Sequence, residues 1–285
     1  MQPIGILVVG AGKLGLPLAH RLAEQAPVAV LSRRPAPPAA NLSPLVGDVT
    51  RPETLTTLPR SIEVLIYCVT PGSHEDAAYR AVFVDGLANV LQALDRSALR
   101  RVIFVSSTGV YGQDDGSWVD EASATEPVGF SGRRLLEAEQ FLKSQGLPAT
   151  TVRFSGIYGP DRTRLLTQIL AGELAPETDG PYTNRIHEAD CIGILEHLAR
   201  KSLKGEALAP CYLASDCEPS RIEDLVDWVR SQAGELPLRE DAKPPVRRAG
   251  SKRCCNRRLL ESGYRFEYPT FREGYGEILR QLSTP

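Results

Sequence analysis

The stretch "IGILVVGAGKLG", Ile4 to Gly15, decides the fold. Its first half is an unbroken apolar run of the kind a strand needs when both faces of its sheet are covered. Glycines 10, 12 and 15 follow at once, and a helical pattern begins near Lys13. A strand, a glycine turn and a helix in that order open a βαβ unit. Working outward, similar apolar runs recur at "VAVL" (28–31), "SPLVG" (43–47), "EVLIYCV" (63–69), "RVIFVSS" (101–107) and "TTVRFSG" (150–156). Helical patterns separate most of them. The expected fold is therefore α/β, a Rossmann-type doubly wound parallel sheet with right-handed crossovers and a small C-terminal domain closing a cleft above the strand ends.

Residues 1–160 are expected to form the dinucleotide-binding domain, with 184–214 returning to it, and 161–285 a small substrate-binding domain. Within the second part, 184–201 reads as a turn into a helix and "CYLA" (211–214) as one more strand. Residues 220–234 read as an amphipathic helix with Ile222, Leu225, Val226 and Val229 on one face and Gly234 ending it. Residues 239–253 read as a loop.

Composition narrows the function classes. The 285 residues carry a net charge of −2, which gives no electrostatic case for nucleic acid or an anionic membrane. No apolar run approaches the roughly 18 residues of a membrane span. The N-terminus lacks a basic region ahead of its apolar run, so no signal peptide is expected. Six cysteines include no C-x-x-C, and only four histidines accompany them. No metal site is expected, and the thiols suit a reducing cytoplasm.

The glycine turn carries the first chemistry. Gly10 permits the tight turn, Gly12 lets backbone approach a pyrophosphate, and Gly15 lets the helix pack on the strand. The helix aims its free N–H groups and positive dipole end at the phosphates. Lys13 and Leu14 belong to the same cradle. A site for NAD places Asp or Glu about 20 residues on, for the ribose 2′-hydroxyl. This chain reads "LSRRP" there. Ser32 donates a hydrogen bond to a 2′-phosphate and Arg33 or Arg34 pairs with it, so the expected cofactor is NADP, with NAD as the alternative. In "GDVTRPETL" the Thr50–Glu53 spacing is that of a capping box, which frees Asp48, beside Val49, to face the adenine. The alternative for Asp48 is a turn-forming side chain.

With "VSSTGVYG" (105–112) the chain resembles the extended short-chain dehydrogenase/reductase family of NAD(P)-dependent sugar-nucleotide epimerases, dehydratases and reductases. "VRFSGIYGP" (152–160), "RIHEAD" (185–190) and "LLESGYRFEYPTFREGY" (259–275) continue the likeness over nearly the whole chain. The resemblance implies that backbone at Val69 and Thr70 lines the cofactor, that Ser106 lies beside it, and that Ser155, Gly156 and Ile157 lie near the nicotinamide. It places Ser107, or its neighbour Thr108, as donor to the substrate oxygen.

The resemblance also implies a Tyr-x-x-x-Lys pair at the start of the helix in "GFSGRRLLEAEQFL" (129–142), where Ser131 reads as the N-cap. One alignment puts Ser131 and Leu135 at those positions, the other Phe130 and Arg134. Neither supplies a phenol, and no Y-x-x-x-K occurs in the chain. Phenylalanine does not titrate, serine is too weak an acid, and arginine stays charged. Ser107, Thr108, Tyr111, His187 and a bound water are the candidate substitutes, while Arg134 is a candidate for the ribose or a phosphate.

The expected activity is an NAD(P)-dependent epimerase, dehydratase or reductase of a sugar nucleotide or other small carbonyl or hydroxyl compound, with altered acid/base residues. The alternative is a non-catalytic NADP-binding redox sensor. Arg162, Arg164, Arg185, Arg247, Arg248 and Arg253 are cations for a substrate diphosphate. The expected partners are a small-molecule substrate and, in one reading, a second copy in a homodimer.

Overall fold

The computed structural model describes residues 5–59, 61–175, 179–234, 237–244 and 250–283. The chain begins with β1 (Ile6–Val9), α1 (Gly15–Ala23), β2 (Val28–Ser32), β3 (Leu42–Val46) and β4 (Val64–Tyr67). Next come α2 (Asp76–Tyr79), a π-helical turn (Arg80–Asp85), α3 (Gly86–Ala93) and β5 (Arg101–Ser107). The middle holds β6 (Trp118–Val119), α4 (Phe130–Ser144), β7 (Ala149–Phe154), β8 (Gly156–Tyr158) and α5 (Arg164–Leu170). Then follow β9 (Tyr182–Thr183), β10 (Arg185–His187), α6 (Glu188–Leu203) and β11 (Cys211–Ala214). The chain closes with β12 (Ser220–Arg221), α7 (Ile222–Ala233), β13 (Arg253–Cys254), α8 (Arg257–Glu261) and α9 (Phe271–Ser283).

Seven strands form one sheet in the order β11-β7-β5-β4-β1-β2-β3. Its central pairs, β1 with β2 and β4, β2 with β3, and β4 with β5, are parallel. The order reverses at β1, and β1 and β4 are buried along their whole length. Valine, leucine and isoleucine there are shielded on both faces, which stabilises the fold by about 1.5–3 kcal/mol per side chain relative to exposure. The α/β doubly wound fold read from the apolar runs is the fold observed.

The residues group into two compact units. One comprises Met1–Val110, Pro127–Arg153 and Ile192–Tyr212; the other comprises Tyr111–Glu126, Phe154–Cys191 and Leu213–Pro285. The second unit has short strand pairs, β8 with β10, β9 with β12 and β6 with β13. Its core gathers Tyr158, Leu166, Ile169, Phe271, Tyr275 and Ile278 around the buried face of α7, formed by Ile222, Leu225, Val226 and Val229. Gly234 ends α7 at φ +86°, the left-handed region that glycine tolerates.

Four local readings are corrected. Residues 185–187 form strand β10 before α6 begins, because Arg185, Ile186 and His187 pair with β8. Within 239–253, Arg253 begins β13, which pairs with β6, and Lys243 bridges to Leu174, so this stretch is not all loop. Thr50 does not cap a helix. The short 3-10 turn Pro52–Leu55 follows Arg51, while the Asp48 carboxylate accepts from the Thr50 backbone N–H at 2.9 Å and its hydroxyl at 2.8 Å. The side chain closest in sequence captured those donors first. Finally, α4 starts at Phe130 with Gly129 as N-cap, and Ser131 lies inside the helix. Gly132, in its first turn, approaches the Gly109 carbonyl so closely that a Cβ there would sit 2.2 Å away.

Candidate cofactor site

A pocket of about 510 Å3 opens in the first unit at the ends of β1, β2 and β4. That volume lies in the range of small-molecule sites. Its lining includes Gly10 and Gly12, Ser32 to Arg34, Asp48 and Val49, Val69 and Thr70, and Val82. Nine of the residues singled out in the sequence therefore share one wall system.

The turn after β1 has the geometry its glycines imply. Gly10 has φ +108°, and a Cβ there would lie 2.8 Å from the Cys68 carbonyl oxygen. A Cβ on Gly15 would lie 1.8 Å from the Gly10 carbonyl oxygen and 2.8 Å from Cys68 Sγ. Both positions exclude any side chain. Gly12 by contrast faces open space, leaving its backbone approachable. No acidic residue occupies the first turn of α1, and no side chain caps it, so the helix end is suited to an anion. Lys13 and Leu14 do not line the pocket; Leu14 is buried as the helix N-cap residue. Burial pushes the Cys68 thiol up to about 12, so it is a packing residue under the turn.

At the end of β2 the Ser32 hydroxyl donates to the Arg34 carbonyl at 2.5 Å, bending the loop that carries both arginines. Arg33 reaches across so that its Nη1 lies 3.9 Å from where a Gly72 Cβ would stand. Burial raises the Asp48 carboxyl, but the Thr50 hydrogen bonds and the Arg33 and Arg51 charges outweigh it and hold the group below the usual range. Asp48 therefore makes the turn and lines the pocket at once.

The residues at the end of β5 and the start of α4 are differently employed. Ser107 Oγ accepts from the Gly109 N–H at 3.1 Å, and Thr108 is buried. The Ser106 hydroxyl, expected beside the cofactor, donates instead to the buried Glu139 carboxylate at 2.6 Å. Arg153 completes that cluster, with Nη2 at 2.6 Å and Nε at 3.1 Å from the two carboxylate oxygens. A buried carboxylate needs such partners, and this need redirects Ser106. Arg134 is held in a fork by Asp76 at 2.8 and 2.7 Å and by Glu137 at 2.7 Å. Leu135 is buried, so neither alignment leaves an open cation at the lysine position. Phe130 packs against the rings of His74 and Tyr79, with centroids 4.9 and 5.4 Å away. Those two residues were not singled out in the sequence, because nothing local marks them.

Ser155, Gly156 and Ile157 belong to the second unit, where Ser155 N–H donates to the Ala214 carbonyl at 3.0 Å and its buried hydroxyl has no partner. In the same unit, Tyr111 donates its phenol to the Asp120 carbonyl at 2.8 Å. His187 Nδ1 accepts from the Ala189 N–H at 3.2 Å, and burial lowers its pKa. Of the arginines named for a diphosphate, Arg185 bonds Ser220 and Thr183, Arg162 pairs with Glu188 at 3.4 Å, and Arg253 bonds the Gly116 carbonyl at 2.7 Å. Arg164 opens α5. Arg247 and Arg248 lie outside the described residues. Among the described residues no group of His, Cys, Asp and Glu is arranged to hold a metal, and no helix is long and apolar enough to cross a membrane.

Residues 10–190, the span holding the glycine turn, the pocket and α4, match the model of the NAD(P)H-binding family. The chain belongs to that family. This NAD(P)H-binding protein is 38% identical to a solved structure from Methylobacillus flagellatus described as a "putative NAD-dependent epimerase/dehydratase", with TM-score 0.81 and 99% of each chain covered. It is 27% identical over 277 residues to protein YeeZ of Escherichia coli (strain K12), covering 93% of this chain and 96% of YeeZ. The fold also matches MoeE5, solved with UDP-glucose and NAD, at 21% identity and TM-score 0.75, covering 98% of this chain and 99% of MoeE5. The family is thus epimerase/dehydratase-like, and its cofactor is a nicotinamide dinucleotide.

Proposed function

We propose that this protein is an NADP-dependent oxidoreductase or epimerase of a small carbonyl or hydroxyl compound, a sugar nucleotide among the candidates, with rearranged acid/base groups. One observation supports NADP above the rest: Ser32, Arg33 and Arg34 line the pocket where β2 ends, and no carboxylate stands with them on that loop. An anionic 2′-phosphate is matched by guanidinium groups and would be repelled by the Asp or Glu of an NAD site. The bound cofactor supplies or accepts hydride. The chain's own residues would hold it: Gly10 and Gly12 at the pyrophosphate, with Gly15 packing the helix under the turn, Asp48 and Val49 at the adenine, and Val69 and Thr70 through backbone, while Lys13 and Leu14, outside the lining, take no part. Ser107, with Thr108 beside it, is the proposed hydrogen-bond donor to the substrate oxygen. MoeE5, of the same fold, holds a sugar nucleotide, and this supports that substrate class.

The test follows NADPH absorbance against a panel of carbonyl compounds and UDP-sugars. The reading expects measurable turnover, slower by about 10²- to 10⁴-fold than a relative with the full tyrosine–lysine pair. Tight binding of NADPH with no turnover of any member would favour a redox sensor instead.

A further inference from the structure

Helix α2 emerges from the loop that begins at the pocket-lining Val69 and Thr70, and it runs directly into the π-helical turn Arg80–Asp85. Single π-helical turns inside helices concentrate at functional sites. Val82 in that turn lines the pocket. Tyr79 precedes it by three residues, at the entry to the π-helical turn, and neither Tyr79 nor His74 is itself part of the pocket lining. The Tyr79 phenol lies 3.3 Å from Nδ1 of His74, within hydrogen-bond reach, and its ring packs on Phe83 and Phe130 at 5.5 and 5.4 Å. Partial burial holds the phenol above its ordinary pKa, so it stays protonated. His74 is exposed and open to exchange with water. Two ion pairs brace this segment on α4: the Arg134 fork on Asp76 of α2, and Arg80 of the π-helical turn with Glu137 at 3.6 Å. Arg134, expected at the cofactor, is in this arrangement a positioning residue.

We propose that Tyr79, backed by His74, is the proton-transferring pair of this site and performs what neither Phe130 nor Ser131 can. The proposal rests on the nicotinamide chemistry proposed above, which accounts for the two electrons. The protein's part is the proton. In the reducing direction the Tyr79 O–H breaks as the substrate carbonyl oxygen gains its proton. The phenolate then takes the Nδ1 proton of the His74 imidazolium, and the neutral imidazole is reprotonated from water. Oxidation of an alcohol runs the same path backwards.

The test uses the full chain at fixed pH with saturating NADP⁺ or NADPH, and reads the imidazole carbon and proton NMR signals of His74. Its signals are assigned among the four histidines by His74→Gln. Because only the oxidised nicotinamide carries a positive charge, a pair beside it predicts signals that move on binding and differ between the two redox forms. Tyr79→Phe keeps the ring packing and should leave NADPH affinity within about twofold while lowering reduction of 9,10-phenanthrenequinone by about 10²- to 10⁴-fold. His74 signals indifferent to redox state in a chain that calorimetry shows to be loaded overturn the pair, and so does a Tyr79→Phe variant at the wild-type rate. Should the wild type ignore the quinone, the NMR comparison decides alone. Failure of calorimetry to detect either cofactor is a different result: it overturns the cofactor reading, and this proposal with it.

Discussion

In the first compact unit the Glu139 carboxylate, 9% exposed, accepts from Arg153 at 2.6 and 3.1 Å and from Ser106 at 2.6 Å. In the second unit Asp216, 1% exposed, accepts one backbone N–H, from Glu218 at 3.2 Å, and its Oδ2 has no partner. Both carboxylates are buried, yet the consequences differ. The first carboxylate is locked into an ion pair that ties α4 to β5 and β7. The second pays for burial in protonation: desolvation pushes its carboxyl up to about 7, with Arg185 opposing the shift, the Glu218 N–H opposing it too, and the Glu218 and Asp190 charges adding to it. Nearby Asp190 shows the remaining solution, a carboxylate fed by the Tyr264 phenol and by the Glu267 and Tyr268 backbone N–H groups at 2.8, 2.8 and 3.0 Å. What a buried carboxylate does is set by its donors rather than by depth.

Breaking the paired case should have the largest effect. Glu139→Ala leaves Arg153 buried without its counter-charge, which costs about 3–5 kcal/mol in unfolding free energy. Chemical denaturation checks it, and a loss below about 1 kcal/mol would mean that the pair is solvated in solution.

The unpaired case should show itself through pH. Asp216 has a folded pKa of about 7 against an ordinary 3.8, so its stabilising contribution is complete below the ordinary value and is lost as pH rises through 7. Between pH 5 and pH 8 the wild type should lose about 3 kcal/mol relative to Asp216→Asn, which cannot titrate. Melting curves of the two proteins across that range test this. Parallel pH dependences would show that Asp216 has a partner in solution after all.

The first unit was far more legible in the sequence than the second. Continuous apolar runs and the glycine spacing report directly on a backbone arrangement, so β1 and β5 fall at or within two residues of the expected bounds. The pocket follows because part of its wall is the glycine turn itself, Gly10 to Gly12. Side-chain chemistry is harder to read when its partners lie far apart in sequence. Ser106 looked like a cofactor residue until the Glu139 carboxylate, 33 residues away, claimed its hydroxyl. Arg134 looked available until Asp76, 58 residues away, took its fork. His74 and Tyr79 gave no signal at all, since a histidine and a tyrosine five residues apart fit any loop-to-helix passage. In the second unit the helical period exposed α7 and its buried face, Ile222, Leu225, Val226 and Val229, but β6, β8, β9, β10, β12 and β13 are strands of two or three residues and leave no period to detect.

The central claim, that the pocket at the ends of β1, β2 and β4 takes NADP through the loop after β2, is tested most directly by calorimetric titration of the wild type and of Arg33→Ala and Arg34→Ala. The account predicts that the wild type binds NADPH at least tenfold more tightly than NADH. It also predicts that at least one variant loses tenfold or more of NADPH affinity while NADH affinity barely moves. Equal wild-type affinities for the two cofactors, with both variants unchanged, would show the arginines to be a solvated surface and would contradict the claim.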